Sequence, residues 1–370
     1  MEKSKLPKLI IGDLAVDTPV IQGGMGVGIS GANLASAVAN EGGVGVIASV
    51  GLGLFDKNLK NNYAETNAKF LRKEIRKAKS KTKGVIGVNI MYALTDFESH
   101  VVAAVEEGTD IIFLSAGLPL KHPFAELFEK NSKIKTKFIP KISSARAMKL
   151  IFDYWKKNYN RFPDGVVVEG PMSGGHQGFR EENLDDEEYI LEKIMPPVIE
   201  QAKKYEKDCG VKIPVIAAGG VYYGSDIFKY MEMGANGVKM GTRFVATEEC
   251  DAHENFKNEY VRCKKEDIVV IKSPVGLPAR VVKNGFIEDI LSGKKKPFKC
   301  PWKCLKTCDF RKVSFCIAIA LKNAKLGNMK DGFAFAGKNA FRVTEIISVK
   351  KLFENIRIEY GQAATAALYV

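Results

Sequence analysis

No apolar run in this 370-residue chain approaches the roughly 18 residues that a membrane span requires; the densest, Val85–Met91, has the length of a strand. The N-terminus, MEKSKLPKLIIGDL, places charges and a proline where a signal peptide needs its apolar core, so the expectation is a cytoplasmic protein, neither secreted nor membrane-inserted. Acidic residues are in deficit: 43 Asp and Glu face 56 Lys and Arg, a balance of +13 that suits anionic partners. Nucleic acid is not expected among those partners, because no recognisable nucleic-acid module accompanies the charge. Histidine is scarce, with only His100, His122, His176 and His253 available for acid–base work near neutrality. Internal repeats and low-complexity tracts are absent. The seven cysteines, without a secretory signal, read as reduced thiols rather than a disulfide framework.

What is present is an alternation. Short β-branched or apolar runs predict strands at Pro19–Gln22, Val44–Ser49, Val85–Ile90, Ile111–Ser115, Phe138–Ile142, Gly165–Glu169, Pro214–Ala218 and Gly237–Gly241. Between them, periodic segments predict helices at Ala32–Glu41, Tyr63–Lys79, Asp96–Glu107, Ser144–Lys157, Glu187–Lys207 and Ile227–Met233. Strands alternating with helices imply βαβ units and a parallel sheet. Their number and spacing predict an α/β fold, a (β/α)8 TIM barrel, with a doubly wound open sheet as the competing architecture. Beyond Arg243 the pattern breaks. The expectation is a barrel over residues 1–246 and a mainly helical C-terminal extension over 247–370, packed on it.

Glycines concentrate just after the strands, where a barrel carries its active site. The first loop, Gln22–Gly31, contains a formal G-x-G-x-x-G at Gly26, Gly28 and Gly31, opening a helix. A dinucleotide site would also want an acidic residue at the end of the next strand, and Ser49-Val50-Gly51 stands there instead. Two further loops, Ala217–Val221 and Lys239–Arg243, follow the last two strands, where barrels commonly hold phosphate. Amides of Gly219, Gly220 and Gly241 and the Thr242 hydroxyl are the candidate donors. A fourth loop, Glu169–Gly178, carries His176 among Gly174, Gly175 and Gly178, the one histidine in a glycine loop at a strand end. It is the candidate general base.

Taken in order, PVIQGGMG (Pro19–Gly26), GVNI with Asn89, GGHQG (Gly174–Gly178), AAGG (Ala217–Gly220) and MGTRF (Met240–Phe244) resemble the nitronate monooxygenase family, formerly 2-nitropropane dioxygenases, which also includes FMN-dependent enoyl-ACP reductases of type II. FAFAGKNAFRV, Phe333–Val343, resembles bacterial members as well. The resemblance implies FMN as cofactor, its phosphate against Gly219, Gly220, Gly241 and Thr242, with Gly174 and Gly175 nearby. It implies Gln22, Gly23, Gly24, Met25 and Asn89 around the isoalloxazine and ribityl region, and His176 as the active-site histidine. The implied reaction on a small-molecule substrate is oxidation of nitronates or nitroalkanes by dioxygen to a carbonyl compound and nitrite. The alternative is NAD(P)H-dependent reduction of an enoyl thioester, whose partner would be an acidic acyl carrier protein. Ser173 departs from the alanine many members carry before the glycine pair, and Lys141 receives no role.

The stretch Lys294–Lys312 holds seven lysines and one arginine against Asp309 alone; it reads as a solvated face or as a docking surface for such a carrier. The same stretch begins a series of Cys300, Cys304, Cys308 and Cys316. Spacings of four place the first three near one stripe of a helix. Buried structural thiols, a zinc or iron–sulfur site and redox-reactive thiols all remain open, and no metal is assigned. The oligomeric state is open too.

Overall fold

The computed structural model describes residues 5–59, 62–120 and 134–369; His122 lies outside them. A short antiparallel hairpin, β1 (Leu9–Ile11) and β2 (Leu14–Val16), precedes eight parallel strands that close into a barrel. In order around the barrel these are β3 (Val20–Gln22), β4 (Val44–Ala48), β5 (Val85–Met91), β6 (Ile111–Ser115), β7 (Lys137–Ile142), β8 (Val166–Glu169), β10 (Val215–Ala218) and β11 (Gly237–Met240). All eight coincide with the expected strands to within a residue or so at each end. The open sheet is excluded by the β11–β3 pairing, Lys239 beside Ile21, that shuts the ring.

The barrel interior is apolar at its base. Leu9, Ile11 and Val16 of the hairpin plug it from below, against Ile21, Val44, Val46, Ile111, Phe113, Ile139, Val167 and Ile216. Outward-facing partners such as Val20, Ile47, Val88, Ile112 and Val168 bury against the helices. Burial on both faces is why these strands are near-continuous Val/Ile runs. Helices Ala32–Asn40, Tyr63–Lys81, Phe97–Glu106, Ala145–Tyr159, Leu191–Cys209 and Gly224–Glu232 match the periodic segments.

The region after β11 packs on the barrel and its regular structure is mainly helical, as expected, and its last helix takes a place in the barrel ring itself. Following the single turn Thr242–Val245, the chain leaves the barrel at Thr247 and returns at Ile347, which bridges Thr247; the Ile347 N–H donates to Ala246 O (3.2 Å) and Glu248 N–H to Ile347 O (3.0 Å). The last helix, Val349–Ala366, then packs against Gly224–Glu232 and Ala32–Asn40, the position of a barrel's eighth helix. Arg243 locks it with a two-pronged pair to Glu359 (2.9 and 3.0 Å). The excursion itself contains helices Glu254–Arg262, Gly285–Leu291 and Ile317–Lys325. It also contains a hairpin, β12 (Ile268–Lys272) and β13 (Pro278–Val282), that the helical expectation did not include. No helix spans the cysteine series: between Leu291 and Ile317 the backbone runs through turns, so the spacing of four is not a helical stripe.

Candidate active site

Alternation along the strands decides what faces the top of the barrel interior. Above the apolar layers the inward positions turn polar: Asn89 on β5, Ser115 on β6, Lys141 on β7, Glu169 on β8 and Lys239 on β11. They form the floor of a cavity of about 900 Å³, the upper end of the range for small-molecule sites. Lys141 Nζ pairs with Glu169 Oε2 at 2.6 Å. Lys239 is 9% exposed, its ammonium 4.3 Å above the Phe113 ring centroid. Burial, and then the neighbouring Lys141 cation, pull its pKa down to about 7, against a smaller opposing pull from Glu169. Two lysines therefore share one carboxylate, and the floor favours an anion. Sequence reasoning singled out Lys141 without a role and missed its partnership with Glu169 and Lys239, because the pattern does not say which strand positions share a layer.

His176 stands on the cavity wall in a two-residue strand, β9 (Gly175–His176), that pairs with β13 of the excursion, His176 opposite Ala279. Its Nε2 lies 2.7 Å from Ser273 Oγ and its ring packs edge-on to Phe335 at 5.1 Å. Burial, with a contribution from the Lys141 cation, lowers its pKa to about 4, so the imidazole is neutral at pH 7. The supporting loop is tied internally. Buried Arg280 donates to Pro171 O and to Ser173 O (2.7 Å), and Gln177 Nε2 donates to Ser173 O (2.8 Å) and Gly175 O (3.0 Å). The Ser173 hydroxyl donates to Gln177 Oε1 (3.2 Å), which gives this departure from alanine a place in the loop's own network. The other described histidines hold structure: His100 is fully buried with Nδ1 3.0 Å from Ser49 Oγ, and His253 Nδ1 accepts the Asn255 N–H at a helix start (3.1 Å).

The cavity brings together Gly23, Gly24, Met25, Asn89, Gly174, Gly175, His176, Gly219, Gly220, Gly241 and Thr242. Gln22 is not among its lining residues. The Gln22 amide is spent within the barrel wall, accepting from Val46 N–H (2.9 Å) and donating to Gly23 O, so it braces β3 against β4. Gly241 has φ −109°, and a Cβ built there meets nothing closer than Met25 Sδ at 4.0 Å, so the space above its Cα belongs to the cavity. Gly219 differs: at φ +86° its Cβ would come within 2.4 Å of Gly170 O, so protein backbone already demands glycine there. Thr242 Oγ1 accepts Gly337 N–H (3.0 Å), which leaves the hydroxyl hydrogen free to donate. The FAFAGKN segment closes this side: Asn339 Nδ2 donates to Gly220 O (2.7 Å) and Lys338 N–H to Met172 O (3.0 Å).

The G-x-G-x-x-G loop is not a phosphate site. The Asp251 carboxylate accepts N–H groups of Gly31 (2.9 Å), Leu34 (3.1 Å) and Asn33 (3.3 Å), and Glu74 accepts that of Ala32 (2.8 Å). The helix start that a phosphate would need is already filled by protein carboxylates. From the excursion, Leu277, Pro278, Cys304, Leu305, Ile317, Ala318 and Leu321 supply an apolar wall that the motifs gave no sign of.

The family model that matches this chain, over residues 8–359, is described as nitronate monooxygenase. The chain is 29% identical over 282 residues to (3aS,4S,5R,7aS)-5-hydroxy-7a-methyl-1-oxo-octahydro-1H-indene-4-carboxyl-CoA dehydrogenase of Mycobacterium tuberculosis, covering 76% of this chain and 68% of that one. It is 25% identical over 313 residues to a probable nitronate monooxygenase of Staphylococcus saprophyticus, covering 77% and 81%. Among solved structures it resembles FabK from Thermotoga maritima, with 27% identity, a TM-score of 0.70 and coverage of 95% and 96%.

Proposed function

From the premise that the chain belongs to the nitronate monooxygenase family and is an oxidoreductase, we propose that it binds FMN in this cavity and oxidises nitronates with dioxygen to carbonyl compounds and nitrite. The observation that carries the reading is the convergence of a neutral histidine and two inward lysines on one cavity flanked by glycine loops. Gly219, Gly220, Gly241 and Thr242 would hold the phosphate through backbone and hydroxyl donors. Gly23, Gly24, Met25 and Asn89 would line the flat ring system and its side chain. FMN would supply the electron transfer from nitronate to dioxygen.

The rest of the chemistry falls to the chain. A nitronate is an anion, and the Lys141–Glu169–Lys239 floor carries surplus positive charge to hold it. A nitroalkane must first lose its α-proton. With the Ser273 oxygen accepting from Nε2–H, Nδ1 of His176 is the basic nitrogen. Burial opposes the resulting imidazolium, and the nitronate formed beside it offsets that penalty by charge pairing. The overall balance is two nitronates and one dioxygen to two carbonyls and two nitrites. An oxygen electrode read alongside a nitrite assay tests it: nitronate-dependent oxygen uptake with stoichiometric nitrite supports the reading, and no uptake sinks it.

A second reading, NAD(P)H-dependent reduction of an enoyl thioester, is favoured by the apolar wall from Leu305 to Leu321. Exposed Lys295, Lys299 and Lys303, on the same segment as Leu305, would suit an acidic acyl carrier protein. Oxidation of NADPH that depends on an enoyl thioester, with no nitrite from nitronates, would replace the first reading by this one.

A further inference from the structure

Lys239 carries more chemistry than the holding of an anion requires. Its side chain crosses the barrel interior from β11 toward β6, four places away and therefore opposite in the closed ring of eight, and its ammonium sits 4.3 Å over the Phe113 ring. Phe113 belongs to the apolar layer that the hairpin plugs from below, so the amine stands on an apolar base and lines the cavity above it. Its neighbours in register on β3 and β10 are Ile21 and Ala218, whose side chains bring neither charge nor a hydrogen-bonding group. The Glu169 carboxylate is committed to Lys141 at 2.6 Å. Among the described residues no acceptor pairs with the Lys239 Nζ, although the residue is only 9% exposed.

A buried ammonium without an acceptor is penalised, and the free amine is the form that such a place favours. Burial first and the Lys141 cation second bring the pKa of Lys239 to about 7, with Glu169 opposing. These are the two conditions that activate an amine as a nucleophile: desolvation in an apolar pocket and a neighbouring cation. A lysine of ordinary basicity offers roughly one free amine in 10³ near neutrality, whereas Lys239 offers about half. A free amine has no charge with which to hold an anion. Its lone pair suits an electrophilic carbon, and in an open cavity the carbonyl carbon of an aldehyde is the ligand class that fits.

We propose that Lys239 is a nucleophile that captures aldehydes in this cavity as a Schiff base. Nζ adds to the carbonyl carbon, the carbon–oxygen bond breaks, and the oxygen leaves as water with both hydrogens of the amine. No oxidant, reductant or further reactant enters. The charged groups that face the amine are Lys141 on β7 and Glu169 on β8, and they set the pH at which it is free. The capture needs neither nitronate nor dioxygen, so it goes beyond the oxidation proposed above. One consequence rests on that reading: oxidation of a primary nitronate yields an aldehyde, which the same amine would retain until water hydrolyses the imine.

The test is reductive trapping. The full chain, with and without saturating FMN, is incubated with limiting propanal and sodium cyanoborohydride, and peptide mapping by mass spectrometry locates the propyl groups. At pH 7, Lys239 should be labelled at least about 10-fold faster than exposed lysines such as Lys57 and Lys299, whether or not FMN is bound. Lys141→Met should lower that labelling several-fold and move its rise with pH upward, because the cation is gone and Glu169 is left facing the amine. A merely accessible lysine would show neither change. Labelling of Lys239 no faster than that of the exposed lysines overturns the proposal, as does a Lys141→Met profile identical to wild type. Labelling confined to the FMN-free protein overturns it too, since the amine would then face the cofactor. The wild-type pattern decides even where the variant fails to fold, and nitronate oxidation plays no part in the readout, so failure of that reading is seen separately.

Discussion

Two glycine-rich loops of this barrel look alike in sequence and behave oppositely. In the loop ending at Gly31 the helix N–H groups are saturated by Asp251 and Glu74, and a Cβ on Gly31 would come within 2.9 Å of the Asp251 carboxyl carbon. At Gly241 no protein group fills the space above the Cα, which opens into the cavity. The first loop uses glycine to pack protein on protein; the second leaves donors for a ligand. A glycine motif is a phosphate site only where its amides are not already spent.

The sharpest way to break this contrast is Gly241→Leu. The backbone there, φ −109°, tolerates a side chain, so the melting temperature should hold while FMN retention falls by more than about 10²-fold. Equilibrium binding of FMN to the variant checks it; retention at the wild-type level would mean that the phosphate is elsewhere.

Next in size is His176→Asn. It should lower kcat/KM on a neutral nitroalkane by about 10²–10⁴-fold, with a smaller loss on the preformed nitronate and near-normal FMN content. Equal small losses on both substrates would reduce His176 to a loop residue.

Asp251→Ala addresses the other half of the comparison. Three backbone donors lose their acceptor, so denaturant unfolding should show a loss of about 2 kcal/mol, with FMN affinity little changed. A large drop in FMN affinity at unchanged stability would show that the first loop is a cofactor site after all.

The smallest effect is expected at Lys239. Its cation is present below about pH 7 and lost above it, so KM for a nitronate should rise a few-fold as pH climbs through 7, and Lys239→Met should flatten that profile. Stability follows the opposite sign. With the folded pKa depressed, the unfolded chain binds more protons between about pH 7 and the ordinary lysine range, so the burial penalty is fully felt below 7 and relieved as pH rises. The Met variant should therefore gain more stability at pH 6 than at pH 9.

Much of this architecture was legible beforehand. The eight strands could be read because each is buried on both faces and so is an unbroken apolar run, and Gly219, Gly220, Gly241, Thr242 and His176 could be placed because loops following strands of a barrel share one end. What escaped depends on contacts distant in sequence. Asp251 caps a helix some 220 residues earlier, and the Lys141–Glu169–Lys239 layer depends on strand register. The return of the chain at Ile347, which makes the final helix part of the barrel ring, leaves no local signal. Gln22 was expected at the cavity for a related reason: alternation alone did not reveal that Val46 N–H would claim its side chain.

The proposed reaction requires one cavity to pass electrons from a nitronate to dioxygen. Anaerobic mixing of the FMN-loaded protein with propionate 3-nitronate, and separately with NADH and NADPH, tests this most directly. Loss of the yellow absorption on mixing with the nitronate alone, recovered on admitting oxygen with release of nitrite, is the predicted result. Bleaching by NADH or NADPH with none by the nitronate would contradict it.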